Sequence, residues 1–177
     1  AARECRARHD AAFTAAETRD GVPASVVASI IQVESSCGLA TGSSTVLHRL
    51  ARLAMAADPT NLAENVRYHA GEPPDPAIAE RTRRRAAYLE ATFYPEVRGA
   101  FTMAQQLHID VLALEGSSAG AFGFPQFLPT SYLRYGVDGD GDGRVSLYTM
   151  ADAAASCARF LAANGWRAGS SRAEQRK

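Results

Sequence analysis

The sequence predicts a mainly helical domain, and three observations support this fold class. Apolar residues recur at spacings of three and four along Ala-rich stretches, as on one face of a helix. Runs of β-branched residues, which are typical of strands, are few. Gly and Pro stand between the periodic stretches, where Gly ends one helix and Pro opens the next.

In the first third of the chain, glycine and proline separate three predicted helices. Residues 1–19 are expected to form one helix, which ends at Gly21. Pro23 suits the first turn of a second helix over residues 24–36. Residues 45–56 are expected to form a third helix with one apolar face.

A polar stretch follows the third helix. Residues 57–82 contain Asp-Pro and Gly-Glu-Pro-Pro turn signals, and we interpret them as a surface insertion with one short helical piece. Residues 77–94 and 96–108 are expected to be helical again, interrupted near Pro95 because proline lacks a backbone N–H.

The last third begins with an irregular segment. Residues 116–143 hold many of the glycines and are expected to lack regular structure, and a final helix is predicted over residues 151–164. Residues 170–177 are expected to be a flexible tail. We therefore interpret residues 1–177 as a single domain.

Composition excludes several classes of protein. The 177 residues are 46% hydrophobic and 21% charged, which suits one domain with a buried core and argues against disorder. The 19 basic and 19 acidic residues balance, so we expect no nucleic-acid partner, since duplex binding needs a basic surface. No apolar run is long enough for a transmembrane segment. We also expect the protein to be a monomer. No signal peptide opens the sequence, which indicates either a cytosolic protein or an already processed one.

One glutamate falls on an apolar helix face. Glu34 lies seven residues after Val27, four after Ile30 and three after Ile31, so helical geometry places all four on one stripe. Apolar surroundings favour the protonated form of a carboxyl group, which a general acid needs near neutral pH. The alternative is a glutamate near a helix end that reaches solvent.

The glycine-rich segment 116–132 has the composition of a ligand-binding loop. Its glycines let backbone approach a partner closely, while Gln126 and Ser117 offer polar groups. Three aromatic residues provide flat apolar walls of the kind that sugar rings suit: Phe122, Phe124 and Phe127. The alternative is a tightly packed connection whose phenylalanines belong to the core.

A second motif resembles the start of an EF-hand loop. Three aspartates occupy its ligand positions one, three and five: Asp138, Asp140 and Asp142. Gly143 follows at position six and Arg144 at position seven, where a backbone carbonyl serves. Position twelve is Thr149, which lacks a carboxylate, so Asp152 is the candidate that closes a longer loop. Oxygen ligands favour Ca²⁺ over Zn²⁺, and a solvated acidic turn is the alternative.

A geometric argument favours one disulfide among the possible pairings of the three cysteines. If the first two helices form a hairpin about Gly21, Cys5 and Cys37 lie level, because each is sixteen residues from that turn. We therefore expect a Cys5–Cys37 disulfide and a free, buried Cys157; three reduced cysteines are the alternative. A disulfide indicates an oxidising compartment such as the bacterial periplasm.

Three motifs occur here in the order and spacing of one known family. The segments GVPASVVASIIQVESSCG, GSSAGAFGFPQFLPTSY and VDGDGDGRVSLYTMADAAASCARFLAANGW resemble the membrane-bound lytic transglycosylase B family, glycoside hydrolase family 103. The resemblance covers about residues 20–56 and 83–167. It implies a lysozyme-like helical catalytic domain that cleaves peptidoglycan between N-acetylmuramic acid and N-acetylglucosamine, with calcium in the EF-hand-like loop and no organic cofactor. It also implies a bacterial periplasmic or envelope location, with any lipid anchor upstream of residue 1.

The resemblance assigns roles residue by residue. Glu34 is implied to be the single catalytic acid/base, and the residues implied to bind substrate are Ser117, Gln126, Phe127, Arg84 and Arg85. The implied structural metal, Ca²⁺ or another cation such as Na⁺, involves Asp138, Asp140, Asp142, Arg144 and Asp152. By spacing alone, the run Arg83–Arg85 would instead be a solvated helix face.

This chain departs from the family pattern at several points. Cys37 stands where the family often has an aromatic residue, and Phe160 replaces a tyrosine. Residues 57–82 are longer than expected, and the chain stops soon after Trp166. Two other functions stay open: a hydrolytic muramidase of the same fold, which would recruit a second carboxylate, and a non-catalytic calcium-stabilised module that binds peptidoglycan.

Overall fold

The computed structural model describes residues 1–167, and the expected tail over residues 170–177 lies outside them. The mainly helical class is confirmed. The elements in chain order are α1 (Ala2–Arg8), α2 (Asp10–Asp20), α3 (Ala24–Ser35), β1 (Ser44–Thr45), α4 (Val46–Ala54), α5 (Pro59–Ala70), α6 (Pro76–Leu107), β2 (Glu115–Gly116), α7 (Pro129–Tyr135) and α8 (Met150–Ala163). Over the described residues, no helix is both long and apolar enough to cross a membrane.

The N-terminal helix is two helices, contrary to the single helix expected over residues 1–19. The break lies at His9, whose backbone leaves the helical region and donates to the carbonyls of Cys5 and Arg6. The two pieces differ in their main partners, since α1 packs on α3 while α2 packs mainly on α8 and less on α3. The break allows each of the two short helices to pack against its own main partner.

The predicted interruption at Pro95 is wrong, because α6 runs through it as one helix of 32 residues. An interior proline removes one backbone hydrogen bond but does not end a helix that is held by packing on both sides. Here Ala86 is buried before Pro95, and Ala100 and Met103 are buried after it. Helices α4, α5 and α7 all pack along α6, so α6 is the central helix of this part of the fold.

The polar stretch forms α5 and the start of α6. Asp58 caps α5 by accepting from the backbone N–H of Thr60 at 3.0 Å, and Asp75 caps α6 by accepting from that of Ala77 at 2.9 Å. Helix α5 packs on α6. The interpretation of residues 57–82 as an insertion stays a prediction.

Two apolar clusters form the core. The first joins α2, α3 and α8 through Phe13, Val27, Ile31 and Cys157. The second joins α4, α6 and α7 with the glycine-rich segment. Strands β1 and β2 pair antiparallel, with Ser44 opposite Gly116, and they attach the start of α4 to that segment. The sequence did not predict this pair of strands.

Candidate functional site

Glu34 lies in the last turn of α3 and is exposed. The stripe on which it was placed is buried for its first two turns, at Val27 and Ile31, and emerges into solvent at Glu34. The expectation that Glu34 is held against apolar surface is therefore wrong for the free protein, because the buried face of α3 runs through Val27, Ile31 and Ser35 and leaves Glu34 at its exposed edge. Beneath it lies Cys157 of α8, a buried thiol whose pKa is raised to about 12, first by burial and then by the charge of Glu34.

The turn after Glu34 is tightly constrained. The buried Ser35 hydroxyl donates to the carbonyl of Ile31 and accepts from the backbone N–H of Gly38, both at 3.1 Å. Ser36 and Cys37 follow with φ of 52° and 61°, a left-handed conformation that reverses the chain. These contacts fix the direction in which the last turn of α3 presents the Glu34 carboxylate.

The disulfide pairs the two cysteines that the hairpin argument selected. Cys5 of α1 is bonded to Cys37, with their Cα atoms 5.8 Å apart. Both cysteines are buried, and Cys157 is the free thiol. The bond ties α1 to the turn that follows Glu34.

The loop after this turn lies directly on the glycine-rich segment. A Cβ atom added to Gly42 would stand 2.2 Å from the carbonyl oxygen of Gly116, so only glycine fits there. A Cβ atom on Gly38 would stand 2.7 Å from the ring of Phe124. These close approaches bring residues 38–42 and 116–126 together beside the end of α3.

Two of the expected substrate-binding residues lie at this junction. The side-chain nitrogen of Gln126 donates to the carbonyls of Thr41 at 3.2 Å and Gly123 at 2.8 Å. The hydroxyl of Ser117 accepts from the backbone N–H of Ala121 at 3.2 Å. Both side chains are partly exposed and anchored. The structure thus places Ser117 and Gln126 against the loop that follows Glu34.

Most of the aromatic residues that were expected to line a sugar-binding surface are buried in the core. Phe127 is 7% exposed and packs against Phe160 with ring centroids 5.5 Å apart, so its ring supports the segment from below instead of lining a cleft. Phe122 is likewise buried. The residue type alone could not separate a wall from a core ring, since both need a flat apolar side chain.

A different aromatic pair is accessible. Phe124 is partly exposed and packs edge-on against Tyr148, with centroids 6.4 Å apart. The Tyr148 hydroxyl donates to the carbonyl of Glu115 at 2.7 Å, and its pKa is raised chiefly by burial. Sequence reasoning missed Tyr148, because it lies beyond the glycine-rich segment and only the fold brings it to Phe124.

Arg84 and Arg85 are exposed on α6. The Arg84 Nε atom is 3.9 Å from a carboxylate oxygen of Glu80, and the Arg85 guanidinium lies 5.2 Å from the centre of the Tyr88 ring. Both contacts are with neighbours on α6, and Arg85 also lines a groove between α5 and α6.

Three carboxylates of the EF-hand-like motif lie close together. One oxygen each from Asp138, Asp140 and Asp152 lies within 4.8 Å of the others. Asp142 is not in this group, and its side chain accepts from the backbone N–H of Arg144 at 2.8 Å. Over the described residues, none of these aspartates has a salt-bridge partner, so their negative charges are uncompensated by side chains.

Backbone donors orient these carboxylates. Asp152, at the start of α8, is 2% exposed and accepts from the backbone N–H groups of Gly139 at 2.8 Å and Ser146 at 2.6 Å. The N–H of Gly143 is the main cause that lowers the pKa of Asp138 below its usual value. Asp152 therefore joins both ends of the loop to the buried helix α8.

The chain matches known proteins in sequence over most of its length. The family model described as the transglycosylase SLT domain matches residues 1–176. Over 146 residues the chain is 35% identical to the membrane-bound lytic murein transglycosylase B of Escherichia coli K12, a match covering 82% of this chain and 32% of that protein.

Solved structures share the fold. Escherichia coli lytic transglycosylase SLT35 in complex with bulgecin A matches with a TM-score of 0.71 and 30% identity, covering 94% of this chain and 44% of the other. The calcium complex of SLT35 matches with a TM-score of 0.70 at the same identity and coverage. SltB3 of Pseudomonas aeruginosa with NAG-NAM-pentapeptide matches with a TM-score of 0.68 and 30% identity, covering 96% of this chain and 38% of the other. The chain thus spans less than half the length of these relatives.

Proposed function

Because the chain belongs to the transglycosylase SLT domain family, we propose that it cleaves peptidoglycan between N-acetylmuramic acid and N-acetylglucosamine as a lytic transglycosylase. The observation that carries this proposal is the placement of one exposed carboxylate, Glu34, at the start of the turn whose following loop holds the side chain of Gln126. Its relatives are named lytic transglycosylases, and one was solved with a NAG-NAM-pentapeptide.

Glu34 acts as both acid and base in this proposal. The protonated carboxyl donates its proton to the glycosidic oxygen as the bond to C1 of the muramyl residue breaks. The oxygen of the substrate's own N-acetyl group meets the positive charge that develops at C1. The Glu34 carboxylate then takes the proton of the muramyl C6 hydroxyl, whose oxygen attacks C1 and closes a 1,6-anhydro ring. No water is consumed, so a single carboxylate suffices.

The exposure of Glu34 in the free protein is compatible with this role. A bound glycan covers the end of α3 and displaces water from the carboxyl group, which favours its neutral form. The rigid turn at Ser36 and Cys37 holds the carboxylate in place while this happens. Preorganisation of this kind is a recognised part of acid–base catalysis.

We assign substrate contacts to the junction beside Glu34. Ser117 and the free acceptor oxygen of Gln126 hold polar groups of the sugar near the cleaved bond. The pair of Phe124 and Tyr148 offers the apolar surface that was first expected from Phe127. Arg84 and Arg85 are assigned to more distant parts of the substrate, since they lie on α6.

We assign a structural cation to the acidic loop. Asp138, Asp140 and Asp152 would hold it, since their oxygens converge without a salt-bridge partner and oxygen ligands suit Ca²⁺. Asp142 and the Arg144 carbonyl complete the proposed set, and Na⁺ is the alternative ion. When bound, the cation supplies charge that holds the loop to α8; the proposed chemistry at Glu34 uses neither metal nor organic cofactor.

We propose a location in the bacterial periplasm or cell envelope. The Cys5–Cys37 disulfide is typical of an oxidising compartment. The curated relative is named as membrane-bound.

The decisive experiment compares wild type, Glu34→Gln and the control Glu90→Gln, another exposed carboxylate, on α6. Purified peptidoglycan is digested, clearance is followed by turbidity, and the products are examined by mass spectrometry. We expect anhydro-muramyl products from wild type and Glu90→Gln, and activity lower by about 10²–10⁴-fold in Glu34→Gln.

Three outcomes would contradict the proposal. Products that all carry reducing ends indicate the hydrolytic muramidase. Clearance that Glu34→Gln leaves unchanged refutes the role assigned to Glu34. Wild type that binds the wall without cleaving it indicates a non-catalytic binding module.

A further inference from the structure

Glu96 is a buried carboxylate in the middle of α6 that the proposed chemistry does not use. The residue is 8% exposed, and no salt bridge among residues 1–167 involves it. A buried polar group is stable only when hydrogen bonds replace the water that it has lost. Both of its oxygens accept from one residue, Thr130: Oε2 from the backbone N–H at 2.9 Å, and Oε1 from the hydroxyl. The carboxylate therefore joins α6 to one point on α7.

This contact caps the start of α7. The first turn of a helix leaves backbone N–H groups unpaired, and the side chain of the residue before the helix usually accepts from one of them. Here that residue is Leu128, which has no acceptor in its side chain, and Thr130 is the second residue of the helix. Glu96 supplies the missing acceptor from 34 residues away in sequence. The place where α7 begins is thus set from α6.

Gly99, three residues further along α6, lets Thr130 approach this closely. A Cβ atom added to Gly99 would stand 3.0 Å from the Cγ2 atom of Thr130 and 3.3 Å from its backbone nitrogen. Gly99 is itself buried. Close packing and two hydrogen bonds therefore hold Thr130 against the same part of α6.

The start of α7 is also the end of the glycine-rich segment. Gln126 lies four residues before Thr130 and has a φ of 53°, a left-handed conformation that its surroundings must maintain. Phe122 and Phe127 exchange backbone hydrogen bonds of 2.9 and 3.0 Å, which close a tight turn around Gln126. Two residues separate this turn from Thr130. A displacement of Thr130 is therefore transmitted to Gln126.

We propose that Glu96 is a positioning residue, which acts through Thr130 to set the place of Gln126 in the substrate site. The inference rests on the proposed function and deepens it, because it adds a buried residue of α6 to the machinery that holds the reacting sugar. The hydrogen bond from Gln126 to Thr41 extends this support to the loop after Glu34. A misplacement of about 1 Å can lower a catalysed rate about 100-fold, so such support matters for the reaction.

The test is a double-mutant cycle on the cleavage of soluble glycan strands, with the 1,6-anhydro products counted by mass spectrometry. Glu96→Gln keeps the size of the side chain but replaces one acceptor oxygen with an NH₂ group. We expect it to lower kcat about tenfold and to change KM less than about twofold, because the Gln126 contact is assigned to the reacting sugar. In a Gln126→Ala background, Glu96→Gln should change kcat less than about twofold.

Three further variants separate positioning from a general loss of stability. Thr130→Ser keeps both donors and should cleave as wild type does. Thr130→Val loses only the hydroxyl donor and should lower kcat about threefold, which tests the same contact if Glu96→Gln does not fold. Asp58→Ala removes the cap of α5, outside the glycine-rich segment, and should lower Tm without changing kcat.

Amide hydrogen exchange reports the support directly. Exchange over residues 122–128 should be faster in Glu96→Gln and in Thr130→Val than in wild type, and exchange in α2 should be unchanged. In Thr130→Ser both regions should exchange as in wild type. This measurement needs no substrate, so it does not depend on the proposed function.

Four results would overturn the inference. The first is folded Glu96→Gln that cleaves as fast as wild type, and the second is unchanged exchange over residues 122–128. The third is a loss of kcat as large in the Gln126→Ala background as in wild type, because Glu96 would then act without Gln126. The fourth is an equal loss of kcat in Asp58→Ala, which would indicate a general effect of stability.

Failure of the proposed function gives a different pattern. Wild type then forms no anhydro products, while hydrogen exchange still shows whether Glu96 holds the segment. Cleavage by wild type that is lost in Glu34→Gln supports the proposed function whatever Glu96→Gln does.

Discussion

Reduction of the Cys5–Cys37 disulfide is expected to destabilise the domain substantially. The bond joins residues 32 apart in sequence and ties α1 to the turn after Glu34. Reduction keeps both sulfur atoms in the protein, so packing at these buried positions changes little. What changes most is the freedom of the unfolded chain.

The magnitude follows from the loop that the bond closes. For a loop of 32 residues, the chain-entropy relation gives a loss of about 12 cal/mol/K in the unfolded state, or about 3.7 kcal/mol at 25 °C. For a domain of 177 residues, each kcal/mol corresponds to about 2–4 °C in Tm. The reduced protein should therefore melt about 7–15 °C lower.

The assay is thermal and guanidinium unfolding with and without a phosphine reductant, in a Cys157→Ala background so that no third thiol exchanges with the disulfide. Cys5→Ala/Cys37→Ala is compared in parallel; it should be less stable than the reduced protein, because it also loses buried sulfur atoms. A loss below about 1 kcal/mol on complete reduction would refute the reasoning. Such a small loss would mean that the disulfide hardly restricts the unfolded chain. Alternatively, it would mean that packing of α1 on α3 contributes little to the stability of the fold.

Three other predictions test particular contacts. Gly42→Ala should lower the free energy of unfolding by about 2 kcal/mol or more, because its Cβ meets the Gly116 carbonyl, whereas Gly71→Ala, with similar φ but room, should cost less; equal losses in denaturant titrations would refute the steric argument. Calcium at a hundred times its Kd should raise Tm by about 5–10 °C over chelator-treated protein, and a similar rise in Asp152→Asn would count against the assigned ligands. The Cys157 thiol should resist iodoacetamide at pH 8 until the protein is unfolded, as mass spectrometry would show. Its pKa is raised from 9.0 to about 12, so its stabilising effect is complete below pH 9 and is lost between pH 9 and about 12; rapid native labelling would contradict this.

The sequence alone predicted features that depend on neighbours along the chain. Helices α3, α4 and α8 follow from apolar periodicity and from glycine and proline signals. The acidic loop follows from spacing, although Asp142 lies outside the cluster of carboxylates that the fold brings together. The pairing of Cys5 with Cys37 also has a local cause, since both are equally far from the turn at Gly21.

What only the tertiary structure decided is which surfaces other elements cover. Periodicity placed Glu34 on the same face as Ile31, but the buried face of α3 continues through Ser35 and leaves Glu34 at its exposed edge. Composition marked Phe127 as a sugar wall, but Phe160 from α8 covers it, and Tyr148 lies beside Phe124 instead. The helix break at His9 and the continuity of α6 through proline likewise reflect packing partners distant in sequence. The physical reason is that a residue's pattern fixes its direction from its own element, whereas burial depends on contacts between segments far apart in the chain.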